Sequence, residues 1–299
     1  MQKDHPPVCD YEGSDYQIRF WENADRAYED RVEAIALKRL LPAEGNLLLE
    51  VGAGAGRNTT RYAGFTKIVL LDYSFSQLKQ ARDRLGDSPR YCYVAGDVYH
   101  LPFAAFIFDG ATMIRTLHHM ADPLASLQQI RNTLKPGSFF ILEYANKRNL
   151  KAIARWLFRH QPWNPFDPES IEFAELNFDF HPRTVRRWLE KVGFILERQL
   201  SVSHFRLPFL KRLVPVNLLV TLDSLVQWTG AYWQLSPSVF VRCKAAGDDM
   251  EGSKERFWKC PACDSIDLES IEEGLQCSTC KTKWAFREGI FDFRKPLQR

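Results

Sequence analysis

Residues 47–57, L-L-L-E-V-G-A-G-A-G-R, restrict the fold more than any other stretch. Three leucines and a valine make a short unbroken apolar run, the pattern of a strand buried on both faces of a parallel sheet. Gly52, Gly54 and Gly56 follow on alternate positions, and a helix is expected from Asn58. Glycines at a strand-to-helix turn let the main chain bend sharply and let a ligand lie against bare backbone. The spacing departs from the dinucleotide-binding G-x-G-x-x-G, because the third glycine comes one residue early and Glu50 precedes the first.

At 299 residues the chain is long enough for one full α/β domain plus something smaller. With 45% hydrophobic and 26% charged residues and a mean hydropathy of −0.32, it is expected to be globular and soluble. Forty basic against 37 acidic side chains leave no global field directed at nucleic acid. The N-terminal M-Q-K-D-H-P-P lacks the apolar core of a signal peptide. The most apolar later stretch, residues 213–228, is interrupted by Pro215 and Asp223 and is too short to span a bilayer. Seven cysteines, four of them between positions 260 and 280, suit metal binding in a reducing compartment better than a disulfide framework, so a cytoplasmic location is expected.

Downstream of the glycine turn, K-I-V-L-L-D at residues 67–72 predicts a second buried strand ending in Asp72. A carboxylate at that strand tip, about twenty residues beyond the glycine loop, can accept both hydroxyls of a ribose. Ser74 is the expected N-cap of a helix over residues 75–85 that stops before Gly86. Residues 90–95 predict a third strand, followed by Gly96-Asp97-Val98. A lone strand-end Asp more often caps a turn, but its placement after Asp72 favours a ligand contact. Residues 106–114 predict the fourth strand, 124–134 a helix ending in L-K-P-G, and 138–144 the fifth strand. Strands and helices alternating through short turns predict an α/β, doubly wound parallel sheet whose ligand lies beyond the carboxyl ends of the strands.

Upstream, residues 1–13 are expected to be loosely packed. Tyr16, Phe20, Trp21, Ala24, Tyr28 and Val32 recur at helical spacing within residues 15–41, predicting a helical cap that Pro42 and Gly45 stop. Arg26 and Tyr28 on it are candidates to approach the ligand. Beyond the fifth strand, residues 147–160 carry five cations and no acid, with Leu150, Ile153, Ala154 and Leu157 on one face. Such a helix is either a surface helix with solvated charges or one that meets an anionic substrate, RNA or a membrane surface. The aromatic and proline-rich residues 163–182 are too apolar for idle loop and read as a lid over an acceptor pocket. A helix over 183–191, a sixth strand over 194–202, an apolar helical insertion over 205–235 and a last strand over 238–244 complete this part.

Residues 245–256 read as a polar linker. Cys260-x-x-Cys263 and Cys277-x-x-Cys280 then match a tetrahedral four-thiolate zinc site, whereas a redox dithiol would need only one such pair. Four cysteines leave no position open for a catalytic water, so Zn²⁺ is expected to be structural, supplying much of the folding energy of a module with little core. Cys9, Cys92 and Cys243 have no ligand spacing.

The pattern E-x-G-x-G-x-G-R from Glu50, the run G-D-V-Y-H-L-P-F from Gly96, and then L-H-H, D-P and L-K-P-G in that order resemble the class I S-adenosylmethionine (SAM) dependent methyltransferases, chiefly the small-domain type that includes enzymes of quinone biosynthesis. The resemblance covers about residues 46–144 and implies a Rossmann-like seven-stranded sheet with an antiparallel final strand. It implies SAM held by Glu50, Gly52, Ala53, Gly54 and Gly56 around the methionine part. Asp72 and Tyr73 then meet the ribose, Asp97 and Val98 the adenine, and Arg115 stands beside them. The tail, C-P-A-C…C-S-T-C…R-E-G-I-F-D-F over residues 257–293, resembles the small zinc-ribbon protein that partners and activates several tRNA and translation-factor methyltransferases, here fused in cis. The implied organisation is a cap at 1–45, a methyltransferase domain at 46–246 with acceptor-site insertions at 147–182 and 203–237, a linker at 247–256 and a zinc ribbon at 257–299.

A sulfonium methyl is already activated, so transfer chiefly needs alignment and exclusion of water. A base is required only where the acceptor must lose a proton; His119 and Glu143 are the candidates by position, with His118 and Tyr144 beside them. No N-P-P-Y tetrapeptide or Pro-Cys pair follows the fourth strand, which disfavours amino-methylation of bases or glutamine and a covalent cytosine mechanism. The motifs and the apolar lid favour a small-molecule acceptor; the ribbon and the basic helix favour tRNA or a translation protein. A SAM-binding interaction protein without turnover is a further reading, and the glycine spacing disfavours an NAD-dependent oxidoreductase.

Overall fold

The computed structural model describes residues 6–13, 26–247 and 256–297. Strands β1 (Gly45–Val51), β2 (Phe65–Asp72), β3 (Tyr91–Ala95), β4 (Phe108–Met113) and β5 (Leu134–Ala145) run parallel in the spatial order β3-β2-β1-β4-β5. A small antiparallel hairpin, β6 (Ile171–Ala174) with β7 (Asn177–Asp179), stands apart. Strand β9 (Ser238–Ala245) runs antiparallel beside β5, and β8 (Phe194–Val202) antiparallel beside β9, giving the expected seven strands with their reversed member.

Helices cover both faces, which is why β1 and β2 are apolar without alternation: Leu48, Leu49, Ile68, Val69 and Leu70 are all fully buried. Helices α1 (Ala27–Leu40) and α2 (Phe75–Leu85) pack on one face, burying Val32, Leu37 and Leu78 with Ile68 and Leu70. Helix α3 (Pro123–Thr133) packs on the other, burying Leu127 and Ile130 with Leu49 and Val69. Each such side chain contributes about 1.5–3 kcal/mol relative to exposure. Helix α2 has the expected limits: Ser74 Oγ accepts from Gln77 N at 3.3 Å, and Gly86 leaves the helix at φ +83°.

The helix expected from Asn58 is a correction. Only a 3-10 turn, Thr59–Tyr62, separates the glycine loop from β2. The chain must begin β2 at Phe65, and Gly64 passes so close to the Ala43 carbonyl that a Cβ there would lie 2.0 Å from its oxygen. No room for a longer helix is left.

Helix α4 (Leu150–Leu157) lies within the basic stretch, but its apolar face is not packed: Leu150 is 60% and Leu157 67% exposed, and Ala152 is its buried residue. Helix α5 (Pro182–Lys191) leads into β8. The later insertion folds as α6 (Pro208–Leu213) and α7 (Val216–Val226), and α7 packs against α1. Tyr28 is a second correction. It is fully buried at that contact, where its hydroxyl donates to Asp223 Oδ2 at 2.7 Å, and it stays away from the ligand cleft. The predicted cap residues Tyr16, Phe20, Trp21 and Ala24 lie outside the described residues. No helix among the described residues is long and apolar enough to cross a membrane.

The tail forms the antiparallel strands β10 (Leu268–Ile271), β11 (Gly274–Cys277), β12 (Lys283–Arg287) and β13 (Ile290–Asp292). Strand β13 pairs in parallel with β3, through Ile290 with Tyr93, Phe291 with Val94 and Asp292 with Ala95, so ribbon and central sheet form one eleven-stranded sheet. Trp258 packs on Phe103, Phe291 and Phe293 at ring-centre distances of 5.9, 4.6 and 5.1 Å. Of the polar stretch, Ala245 ends β9 and Ala246 N donates to Gly193 O at 2.8 Å; residues 248–255 lie outside the described part.

Candidate functional site

The sheet order reverses between β1 and β4, and a crevice opens at such a point because the connections leave the two strand ends in opposite directions. A concave cleft open to solvent lies there, of the kind in which small molecules bind. Of the sequence-derived residues, Gly52, Ala53, Gly54, Asp72, Tyr73, Val98 and Arg115 line it, as does His119. Gly54 has φ +52° and a Cβ built on it would meet nothing within 4 Å, so the bare turn faces open space. Gly52 is tighter: at φ +70°, a Cβ would fall 2.1 Å from Thr116 Oγ1. Gly56 stands off the cleft, where the loop approaches Ala81 and Leu85 of α2.

Asp72, at the tip of β2, accepts from Gly54 N at 2.8 Å through Oδ2 and from Ser74 N at 2.9 Å through Oδ1. Burial raises its pKa against these two bonds. Glu50 lies beneath the turn, 4% exposed and off the cleft wall, with Oε2 accepting from Thr59 Oγ1 at 2.6 Å. Burial pushes its pKa up to about 8. Glu50 thus braces the loop from behind. Asp97 caps the 3-10 turn Val98–His100, its Oδ1 accepting from Tyr99 N at 2.9 Å, and is not part of the cleft wall.

Arg115, at φ +58°, is fixed from two sides. Its N–H donates to Glu143 Oε2 at 2.9 Å and its Nε to Glu33 Oε1 at 2.8 Å. Glu33, fully buried on α1, also accepts from Arg57 Nη2 at 2.9 Å. Burial alone would raise Glu33, but Arg115 and Arg57 outweigh it and hold its carboxyl down to about 2. Glu143 is buried and its other oxygen accepts from Ser238 Oγ at 2.6 Å, so both oxygens are occupied and it lies off the cleft wall.

His119 is likewise engaged at both nitrogens. The Leu176 carbonyl, 3.1 Å from Nδ1, can only accept, so Nδ1 carries the hydrogen and Nε2 accepts from the Tyr11 hydroxyl at 3.1 Å. Burial lowers its pKa and keeps it neutral.

Sequence reasoning missed two contributors. Residues 6–13 were expected to be loose. Instead Val8 bridges to Met120, and Val8, Cys9 and Tyr11 line the cleft; a segment this short has no periodicity to reveal it. Glu33 was read only as part of a helix, although the arginine of the G-A-G-R turn is a signal that a buried acid stands opposite.

In the ribbon, Cys260, Cys263, Cys277 and Cys280 converge, with all four Sγ atoms within 4.8 Å of one another. The Cys260–Cys280 and Cys263–Cys277 sulfurs are 3.7 and 3.6 Å apart. The edge of a tetrahedron with metal–sulfur bonds of about 2.3 Å is about 3.8 Å, so the set fits one tetrahedral ion. The two knuckles are built alike. Asp264 and Lys281, each just after the second cysteine, both have φ +60° and donate to the carbonyls of Cys260 and Cys277 at 2.8 and 3.0 Å.

A family model described as a methyltransferase domain matches residues 49–142. The demethylmenaquinone methyltransferase of Thermobifida fusca is 30% identical over 170 residues, 53% of this chain and 68% of that protein. The chain belongs to the SAM-dependent methyltransferase family. The O-methyltransferase cnsE of Penicillium expansum is 31% identical over 145 residues, 45% of this chain and 52% of that relative. The chain spans about half the length of the first curated relatives it matches. Among solved structures, a complex between the Haloferax volcanii Trm112 methyltransferase activator and a candidate methyltransferase superposes with a TM-score of 0.54 at 18% identity, covering 77% of this chain and 94% of that one. That likeness concerns the fold.

Proposed function

We propose that this methyltransferase transfers a methyl group from SAM to a small-molecule acceptor with an apolar body, by direct in-line displacement. The observation that carries the reading is the bare Gly54 turn opening into the cleft at the point of sheet reversal, with the Asp72 carboxylate beside it. SAM, when bound, supplies a methyl group on a positively charged sulfur. On this reading Gly52, Ala53 and Gly54 present main chain to the methionine part, Asp72 and Tyr73 hold the ribose, and Val98 meets the adenine on a turn that Asp97 caps. Glu50 and Glu33 position that shell from behind, the first through Thr59 and the second through Arg57 and Arg115. His119 and Glu143 hold the walls in place, because every polar atom each would use as a base already has a partner. The four ribbon cysteines hold a structural Zn²⁺.

A second reading, methylation of tRNA or a translation protein, is favoured by one observation: the ribbon adds a parallel strand to β3, and a solved neighbour of this fold is a complex with an activator protein. Thermal unfolding with SAM, S-adenosylhomocysteine and NADH tests the cofactor. A ligand at a hundred times its Kd adds about 2.7 kcal/mol, and stabilisation by NADH alone would end the methyltransferase reading. Labelled-methyl transfer to hydroxylated aromatics and quinols, set against bulk tRNA and ribosomal extract, then separates the two acceptor classes.

A further inference from the structure

Residues 8–13 cross the cleft as a strap tied at three places. Val8 bridges to Met120, and the Tyr11 hydroxyl donates to His119 Nε2 at 3.1 Å. The third tie is Glu12, whose carboxylate accepts from Phe75 N at 2.8 Å and Ser76 N at 3.1 Å, the free amides at the start of α2. The same carboxylate receives Arg294 of the ribbon tail, with Nη1 to Oε2 at 3.0 Å. Arg294 also reaches the carbonyl of Tyr73, a residue of the cleft wall, at 3.3 Å. It is itself aimed by Asp292, which accepts from its Nε and Nη2, both at 2.9 Å, and it lies over the Phe75 ring at 5.4 Å. Asp292 is the last residue of β13, the strand paired with β3. An unbroken set of contacts thus runs from the ribbon to the roof of the cleft.

We propose that the ribbon holds this strap closed over the cleft through Arg294, so that cofactor affinity depends on the ribbon being docked. Arg294 and Glu12 are positioning residues that act through the strap. The inference rests on the cleft being the SAM site. An isolated exposed ion pair contributes little to stability, but here it selects between a closed and an open strap. A ligand bound beneath the strap loses affinity in proportion to the fraction of molecules that are open.

Calorimetry and stopped-flow dissociation of S-adenosylhomocysteine from the full chain test this. Arg294→Ala and Glu12→Ala are each expected to weaken binding roughly five- to thirtyfold through faster dissociation. The double variant should be no weaker than Glu12→Ala, because both lie on one path. Amide exchange at residues 6–13 should quicken in both variants, a change that a general loss of stability would spread over the sheet instead. Lys259→Ala breaks an ion pair with Asp264 inside the ribbon that touches neither the strap nor Arg294, and should bind within twofold of wild type. Wild-type binding with Arg294→Ala and Glu12→Ala both within twofold of it would overturn the strap. A wild-type chain that binds neither SAM nor S-adenosylhomocysteine would overturn the reading of the cleft, and the strap with it.

Discussion

Glu33→Gln isolates the buried charge cluster behind the cleft. Glu33 is fully buried and accepts from Arg115 Nε at 2.8 Å and Arg57 Nη2 at 2.9 Å, with Arg115 Nη2 on the same oxygen as Nε. A fall of its pKa from 4.5 to about 2 corresponds to about 3 kcal/mol of preference for the charged form. Removing one partner from a buried ion cluster costs about 3–5 kcal/mol, the same range. Glutamine keeps the shape but turns an NH₂ donor towards two guanidinium groups. Because folding depresses this pKa, the stabilisation is complete above about 4.5 and is lost as pH falls towards 2. Urea unfolding should therefore show the variant about 3 kcal/mol less stable at pH 7, with the gap narrowing by roughly 2 kcal/mol at pH 3. A loss below about 1 kcal/mol at pH 7, or a gap indifferent to pH, would refute the account of Glu33 as the anchor of Arg57 and Arg115.

Asp72→Ala should weaken SAM binding by roughly 1.5–3 kcal/mol, the scale of lost charge-assisted hydrogen bonds, and unchanged affinity by calorimetry would remove Asp72 from the site. Gly52→Ala, with its Cβ driven against Thr116 at φ +70°, should destabilise the chain by about 1–3 kcal/mol in denaturant melts and distort the turn; a variant as stable as wild type would show that the turn relaxes freely. Glu50→Gln should flatten the pH dependence of stability. Burial raises that pKa to about 8, so the neutral form is favoured and its stabilisation is lost as pH rises from about 4.5 through 8; an unchanged slope in melts from pH 5 to 9 would count against it. Metal analysis should give one zinc per chain, and a strong chelator should lower the melting temperature of the whole sheet, since β13 is one of its strands; a ribbon melting alone would contradict this.

The parallel core was legible because its strands are apolar on both faces and its turns carry glycine, Asp-Pro and Ser caps at fixed offsets. Helix α2 and β8 fall where their capping and apolar patterns place them. The Asn58 helix failed because the limit there is the close passage of Gly64 past Ala43, a contact between distant strand ends that local propensity cannot report. Within the site, residues that touch open space were readable from the turn they sit on. The roles of those that act from behind were not: Glu50 and Glu143 were picked out by position, but the work of Glu33 and Glu143 depends on partners 82 and 28 positions away. The strap was missed for the same reason: Glu12 is anchored 63 positions downstream at Phe75.

The pairing of β13 with β3 also bears on how the chain is made. Without the ribbon, β3 would be the outer strand of the sheet, with one row of amides and carbonyls unpaired. That row lies beside Tyr93, Val94 and Ala95, which are all buried in the finished molecule. The segment that covers it, β13, is translated after every strand of the central sheet. Every nascent copy therefore passes through an interval in which the catalytic fold has emerged and its open border is free to recruit a strand from a neighbour. Covalent attachment sets the length of that interval by the elongation of a few dozen residues and not by the supply of a second polypeptide, so the right strand is always the nearest one.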